Sequence, residues 1–168
     1  DRHYHGLFKI RSISSNTTSA LLGSREMGKV NMNRRHQREI SQQYADKFRT
    51  KIVSLDDLIG SLSGGNQQKV VISRALSTRP KVVILDEPTR GIDAAARSDV
   101  YGIIRQLKEE GVAVLMVSSD IEEVVELADR AITIFQGRIN GEFSHDEISQ
   151  DALTSASFGI GHERVVAK

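Results

Sequence analysis

Cysteine is absent from all 168 residues, so neither disulfide bonds nor thiol chemistry is available, a composition that fits a reducing cytosol. No stretch approaches the ~18 consecutive apolar residues of a membrane-spanning helix. The first residues, Asp1-Arg2-His3-Tyr4-His5, lack both a signal-peptide core and an initiator Met, and a cut piece of a longer protein is the expectation that follows. Repeats and low-complexity segments are also missing. Net charge is only +1, yet residues 1–50 carry 10 Lys/Arg against 4 Asp/Glu and the remainder 13 against 18. That basic front has no interleaved aromatics and no binding motif, so a solvated helix face is favoured over a nucleic-acid surface. A partner subunit or an anionic membrane surface is the other use for it. The length and the 39% apolar content suffice for one domain with a sizeable core.

Helical periodicity comes first along the chain and alternation with strands follows. Between Asn33 and Thr50, Ile40, Tyr44 and Phe48 fall four apart on one stripe, a core pattern rather than a ligand box. Asp56-Asp57-Leu58-Ile59-Gly60 is turn-prone. A helix is predicted from about Gly65 to Ser77, stopping before Pro80 and carrying Val70, Val71, Ile72, Ala75 and Leu76. Lys81 to Leu85 reads as a strand buried on both faces. Ala94 to Glu110 is an amphipathic helix with Val100, Ile103, Ile104 and Leu107 inward and Gly111 as its stop. Val112–Val117, a helix from Ile121 to Ala128, and Ala131–Phe135 continue the alternation, closed by a Gln136-Gly137 turn. The fold class this implies is α/β with a parallel sheet and right-handed crossovers.

Two motifs carry chemistry. Asp86-Glu87 follow a buried strand, where open α/β sheets place their ligands. Asp86 is suited to hold Mg²⁺ and Glu87 to polarise an attacking water. The bland alternative is a helix cap or turn. The second is Leu62-Ser63-Gly64-Gly65-Asn66-Gln67-Gln68-Lys69. Two glycines let a backbone approach a ligand closely, and the helix that follows presents unpaired N–H groups. Ser63 can donate to a phosphate oxygen or merely cap the helix. Alone, S-G-G is a weak signal; at fixed distance before the Asp86-Glu87 strand it is a strong one.

That block resembles the signature motif of ATP-binding-cassette (ABC) ATPases, and Val82–Glu87 resembles their Walker B strand. Gly91-Ile92-Asp93 sits where the family has its D-loop. The forms LSGGNQQK and DEPTRGID are similar to the second cassette of the tandem ATPase subunits of bacterial sugar importers. The tail, Asp146-Glu147-Ile148 through Phe158-Gly159, leans towards the importers of autoinducer-2, a quorum-sensing signal. Asp1-Arg2 resemble the end of a PEDR stretch. The resemblance implies a partial P-loop NTPase (ABC-type, RecA-like) domain. In it 1–61 would be a helical subdomain remnant and linker, and 62–168 the signature helix, Walker B, D-loop and C-terminal part of the core. It further implies ATP and Mg²⁺ as cofactors. Glu87 would be the catalytic acid and Asp86 the metal holder. Ser63, Gly64, Gly65 and Asn66 would contact ATP held by an opposing cassette, and Asp93 would communicate across the dimer. Implied partners are membrane-spanning permease subunits, a second cassette and, indirectly, a periplasmic solute-binding protein, but no nucleic acid. The implied location is the cytoplasmic face of the inner membrane.

Two departures qualify this. Gly23-Ser24-Arg25-Glu26-Met27-Gly28-Lys29-Val30 nearly spells a Walker A loop, but Val30 stands where a Ser/Thr hydroxyl would ligate Mg²⁺, and the polar Ser14–Ser19 run before it is no buried strand. The chain therefore has no Walker A, no adenine platform and nothing to hold the β- and γ-phosphates. Ser119 occupies the place of the family's switch histidine. The histidines present, His3, His5, His36, His145 and His162, show no metal-ligand spacing beyond His-Tyr-His and read as surface residues. Alone, the chain is expected to be inactive in ATP hydrolysis, and poorly soluble or partly unfolded. A non-catalytic remnant that retains only a trans-acting signature is the alternative function. A DNA-repair or chromosome-organising ATPase head would need flanking heptads, which do not occur.

Overall fold

The computed structural model describes residues 6–24 and 33–160. Asp1-Arg2, His3, His5, His162 and most of the Walker-A-like stretch lie outside the described residues. The chain divides into two compact units, residues 1–116 and 117–168.

In the first unit, a short helix α1 (Ile13–Thr18) is capped by Ser12, and α2 (Arg34–Lys47) by Asn33, whose Oδ1 accepts from His36 N. The Ser14–Ser19 run is therefore helical, not a strand. Ile13 joins Leu55, Ile59 and Val70 in a buried cluster. The face α1 turns towards α2 is polar. Ser14 Oγ and Ser41 Oγ lie 3.1 Å apart, Gln37 Nε2 donates to Thr18 Oγ1 at 3.1 Å, and Ser41 Oγ donates to Gln37 O at 2.7 Å. Burial is tolerated there because each of these groups has a partner. On α2, Phe48 is buried and Ile40 and Tyr44 are half-buried, so the stripe packs as core. The Tyr44 hydroxyl donates to Leu76 O at 2.7 Å, and burial raises its pKa above the ordinary phenol value. The helix closes with Thr50 N donating to Ala45 O and Arg49 N to Asp46 O, with Arg49 left-handed at φ 49°.

The helix α3 (Gly64–Leu76) runs into β1 (Val82–Asp86), and α4 (Ala94–Glu109) connects β1 to its neighbour β2 (Ala113–Val117). This is the strand–helix–strand unit of a parallel sheet, and Ala113 N donates to Lys81 O at 3.0 Å. Val100, Ile103, Ile104 and Leu107 are the buried face of α4, and Gly111 ends it at φ 77°. The buried stripe of α3 differs from its predicted one. Ala75 is exposed, while Lys69 and Ser73 are buried beside Val70, Ile72 and Leu76.

Burial of β1 on both faces is not what the structure shows. Val83 and Leu85 are buried, but Val82 is 58% and Ile84 68% exposed, and Leu115 on β2 is 56% exposed. One face of this pair packs and the other is open, because no described layer of this unit covers it. An apolar sheet face, and a β1 edge that no strand among the described residues pairs, are templates for association. The chain alone should therefore aggregate at micromolar concentrations. Ile84→Thr with Leu115→Thr should delay the rise in light scattering, and a sharp monomeric melt of the parent at high concentration would rule the expectation out.

The second unit holds α5 (Ile121–Leu127), β3 (Arg130–Phe135), β4 (Arg138–Ser144) and α6 (Gln150–Ser157). β3 was expected to extend a parallel sheet; it pairs antiparallel with β4, a strand the sequence reading did not anticipate. Gln136 (φ 47°) and Gly137 (φ 77°) are both left-handed, the two-residue turn whose twist suits a hairpin. Ala131, Phe143, Leu153 and Ala156 form its core. No helix among the described residues is long and apolar enough to cross a membrane.

Candidate functional site

Three stretches of the first unit carry the predicted residues. β1 ends at Asp86, whose side chain is exposed, and Glu87 follows in a left-handed conformation at φ 47°. A side-chain-bearing residue there is strained by roughly 1–2 kcal/mol. The chain turns immediately afterwards: Pro88 and Thr89 are buried, Arg90 N donates to Glu87 O at 3.2 Å, and Ile92 N to Thr89 O at 3.4 Å. Glu87 thus sits on a crimp at the carboxyl end of β1. Asp86 and Glu87 offer two carboxylates. Mg²⁺ uses one or two carboxylates and completes its shell with water and phosphate oxygens, so this donor set fits that ion. No cluster of three or more His, Cys, Asp or Glu suited to a metal occurs among the described residues.

Asp93 caps α4, its Oδ1 accepting from Ala96 N at 2.9 Å. Ser63 caps α3, accepting from Asn66 N at 3.5 Å and from Asn66 Nδ2 at 3.0 Å. Both bonds use the Ser63 oxygen as acceptor, so neither uses its hydroxyl proton. The first turn of α3 has no acidic residue to offset the partial positive charge of its N–H groups. Asn66 Oδ1 also accepts from Lys51 N at 3.0 Å, tying the turn to the segment that leaves α2. The structure thus places Ser63, Gly64, Gly65 and Asn66 on one turn, and Asp93 on the cap of the helix packed against it.

Gly65 has a different neighbour from the one its glycine suggested. It is buried, and a Cβ built on it would lie 2.3 Å from Ala96 Cβ. The close approach that its missing side chain permits in this structure is that of α4.

Sequence reasoning assigned Lys69 no role. It is 3% exposed; its Nζ donates to Asp99 Oδ2 at 2.7 Å and to Arg49 O at 3.3 Å. A lysine three and seven residues before the apolar Ile72 and Leu76, on their face of the helix, was the available signal, since buried ammonium groups are found paired. In the second unit, Ser119 is exposed, and Asp120 caps α5 through Glu122 N and Glu123 N. Ser118 Oγ donates to the buried Glu123 Oε2 at 2.6 Å. His36 is half-buried on α2 and His145 is exposed.

Residues 3–90 match the family described as ABC transporter. The chain is 40% identical over 159 residues to the xylose import ATP-binding protein of Moorella thermoacetica, covering 95% of this chain and 31% of that protein. It thus spans about a third of the length of that curated relative. Among solved structures, it is similar to a dimeric ATP-binding cassette in a post-hydrolysis state bound to ADP and Pi, with TM-score 0.67 and 22% identity, covering 83% of this chain and 59% of that one. A second, an ATP-binding cassette of an ABC transporter, gives TM-score 0.73 and 23% identity, over 88% of this chain and 63% of that one. At such identities the two structures bear on the fold alone.

Proposed function

The chain belongs to the ABC transporter family, and from that premise we propose that it is part of the energy-coupling ATPase of an importer for a sugar-like solute. The observation that carries this reading is the joining, in one compact unit, of a capped Ser63–Gly65 turn and a strand ending in Asp86-Glu87. On this reading Asp86 holds Mg²⁺, which when bound draws charge from the phosphate oxygens. Glu87 accepts a proton from, and orients, the attacking water. Ser63, Gly64, Gly65 and Asn66 meet the γ-phosphate of ATP held by an opposing cassette. Asp93 lies at the boundary between the two cassettes. Residues 1–61 serve as a helical subdomain facing permease subunits, and 62–168 as the C-terminal part of the cassette core. The complex works at the cytoplasmic face of a bacterial inner membrane with a periplasmic binding protein feeding it.

A sugar-like solute is supported by the xylose import relative, and autoinducer-2 by the resemblance of the tail from Asp146 to Gly159. The open face of β1 and β2 favours a chain that works only once that face is covered. Photolabelling with an azido analogue of ATP tests the division of labour. The chain alone should take up no label, and mixing it with a complete cassette should direct label to the first turn of α3. Stoichiometric labelling of the chain by itself would refute the trans-acting assignment.

A further inference from the structure

The two faces that α3 and α4 present to each other meet on two rungs. Gly65 opposes Ala96 with no room for a methyl group, and four residues on, Lys69 pairs with Asp99, three residues beyond Ala96. Positions four and three apart share one face of a helix, so both rungs belong to a single seam. The lower rung is steric. The upper one is ionic and lies against the interior: Lys69 is nearly inaccessible, whereas the side chain of Asp99 is 58% exposed. A buried ammonium must keep its partners, which fixes the side chain in one arrangement.

Lys69 has a second connection. Arg49, whose carbonyl it binds, is the left-handed residue that closes α2, at a position where glycine is the ordinary choice. Asn66, on the same helix, takes the N–H of Lys51 two residues later. The segment leaving α2 is thus held by α3 at two successive points. Lys69 touches that segment, its own helix and α4 at once.

We propose that Lys69 is a positioning residue that fixes the Ser63–Gly65 turn by tying α3 to both Asp99 of α4 and the Arg49 carbonyl at the end of α2. This rests on the reading of that turn as a phosphate-contacting element, and adds how it is held at its working place. Hydrogen-bond donors aimed at a phosphate act only within a few tenths of an ångström of their correct place. A turn at the free end of a helix needs an anchor further along it, and Lys69 lies one turn beyond Gly65.

The absence of cysteine makes the test direct, because two introduced thiols are the only ones to carry spin labels. Ser61→Cys precedes α3 and Glu109→Cys ends α4, and both positions are exposed. With Ile84→Thr and Leu115→Thr present throughout to suppress association, the distance distribution between the labels in the otherwise parent chain should be a single narrow peak. Lys69→Met keeps the length of the side chain and removes its charge; it should broaden the peak at least twofold, and Lys69→Arg should restore it. Asp99→Asn, a milder change at an exposed site, should broaden it to an intermediate extent and carries the test should Lys69→Met lose its helical circular dichroism. Parent-like distributions in every variant that remains folded would overturn the proposal. Nucleotide is absent throughout, so this outcome is independent of the photolabelling result that tests the turn's role towards phosphate.

Discussion

Replacing Gly65 by alanine should destabilise the chain, against the usual trend for such an exchange in a helix. Glycine to alanine inside a helix ordinarily gains about 1 kcal/mol from backbone entropy alone. Here the new methyl would meet Ala96 Cβ at 2.3 Å, a distance that forces α3 and α4 apart. Overpacking of this kind costs about 1–3 kcal/mol. The net expectation is a loss of up to about 2 kcal/mol, or roughly 2–4 °C of melting temperature per kcal/mol for a chain of this size. Adding Ala96→Gly moves the vacancy to the other side of the seam, and the double variant should recover most of the loss. Thermal denaturation followed by circular dichroism measures all three proteins, each carrying Ile84→Thr and Leu115→Thr to suppress association. A higher melting temperature for Gly65→Ala would mean that the helices do not touch there.

Glu87→Gln should sharply slow ATP turnover in a completed cassette while leaving the fold intact. Glutamine keeps the size of the side chain and the left-handed backbone of residue 87, so the exchange isolates the charge. The experiment requires co-expression with a polypeptide that supplies a phosphate loop and covers the open face of β1 and β2. In that complex the parent should hydrolyse ATP, and the variant should be slower by about 100-fold or more, the usual contribution of a positioned general base. Without the complement, parent and variant should be equally inactive if, as proposed, the triphosphate is held by the opposing cassette. Hydrolysis by the isolated parent that disappears in Glu87→Gln would show that the chain has a triphosphate pocket of its own.

The helices that carry the candidate site were legible because their ends are written in side-chain chemistry. Ser63 stands one residue before α3 and caps it, and Gly111 supplies the left-handed stop of α4. Three elements escaped for physical reasons. α1 is polar along most of its length and lacks an apolar stripe, since its buried face is satisfied by hydroxyl and amide partners. β4 alternates only weakly, because Gly141, packed against Phe143 and Thr133, occupies one of its inward positions. α6 is eight residues long, too short for periodicity to stand out. The two-sided burial expected of β1 failed for another reason. Val82 and Ile84 have the composition of core residues, but composition cannot say whether a covering layer is at hand. Lys69 was overlooked because a charged residue at a helix position is ordinarily solvated, and only its place between Asp99 and the Arg49 carbonyl reveals otherwise.

The hydroxyl and amide contacts between α1 and α2 bear on how this part of the molecule can move. Helices joined by methyl groups can roll or slide among arrangements of nearly equal energy. Directional bonds such as those of Ser14 to Ser41 and Gln37 to Thr18 permit one rotation and one offset, and any slip strands several polar groups away from water. A push received by α2 would therefore be passed on as rotation of a stiff lever rather than dissipated as slippage within it.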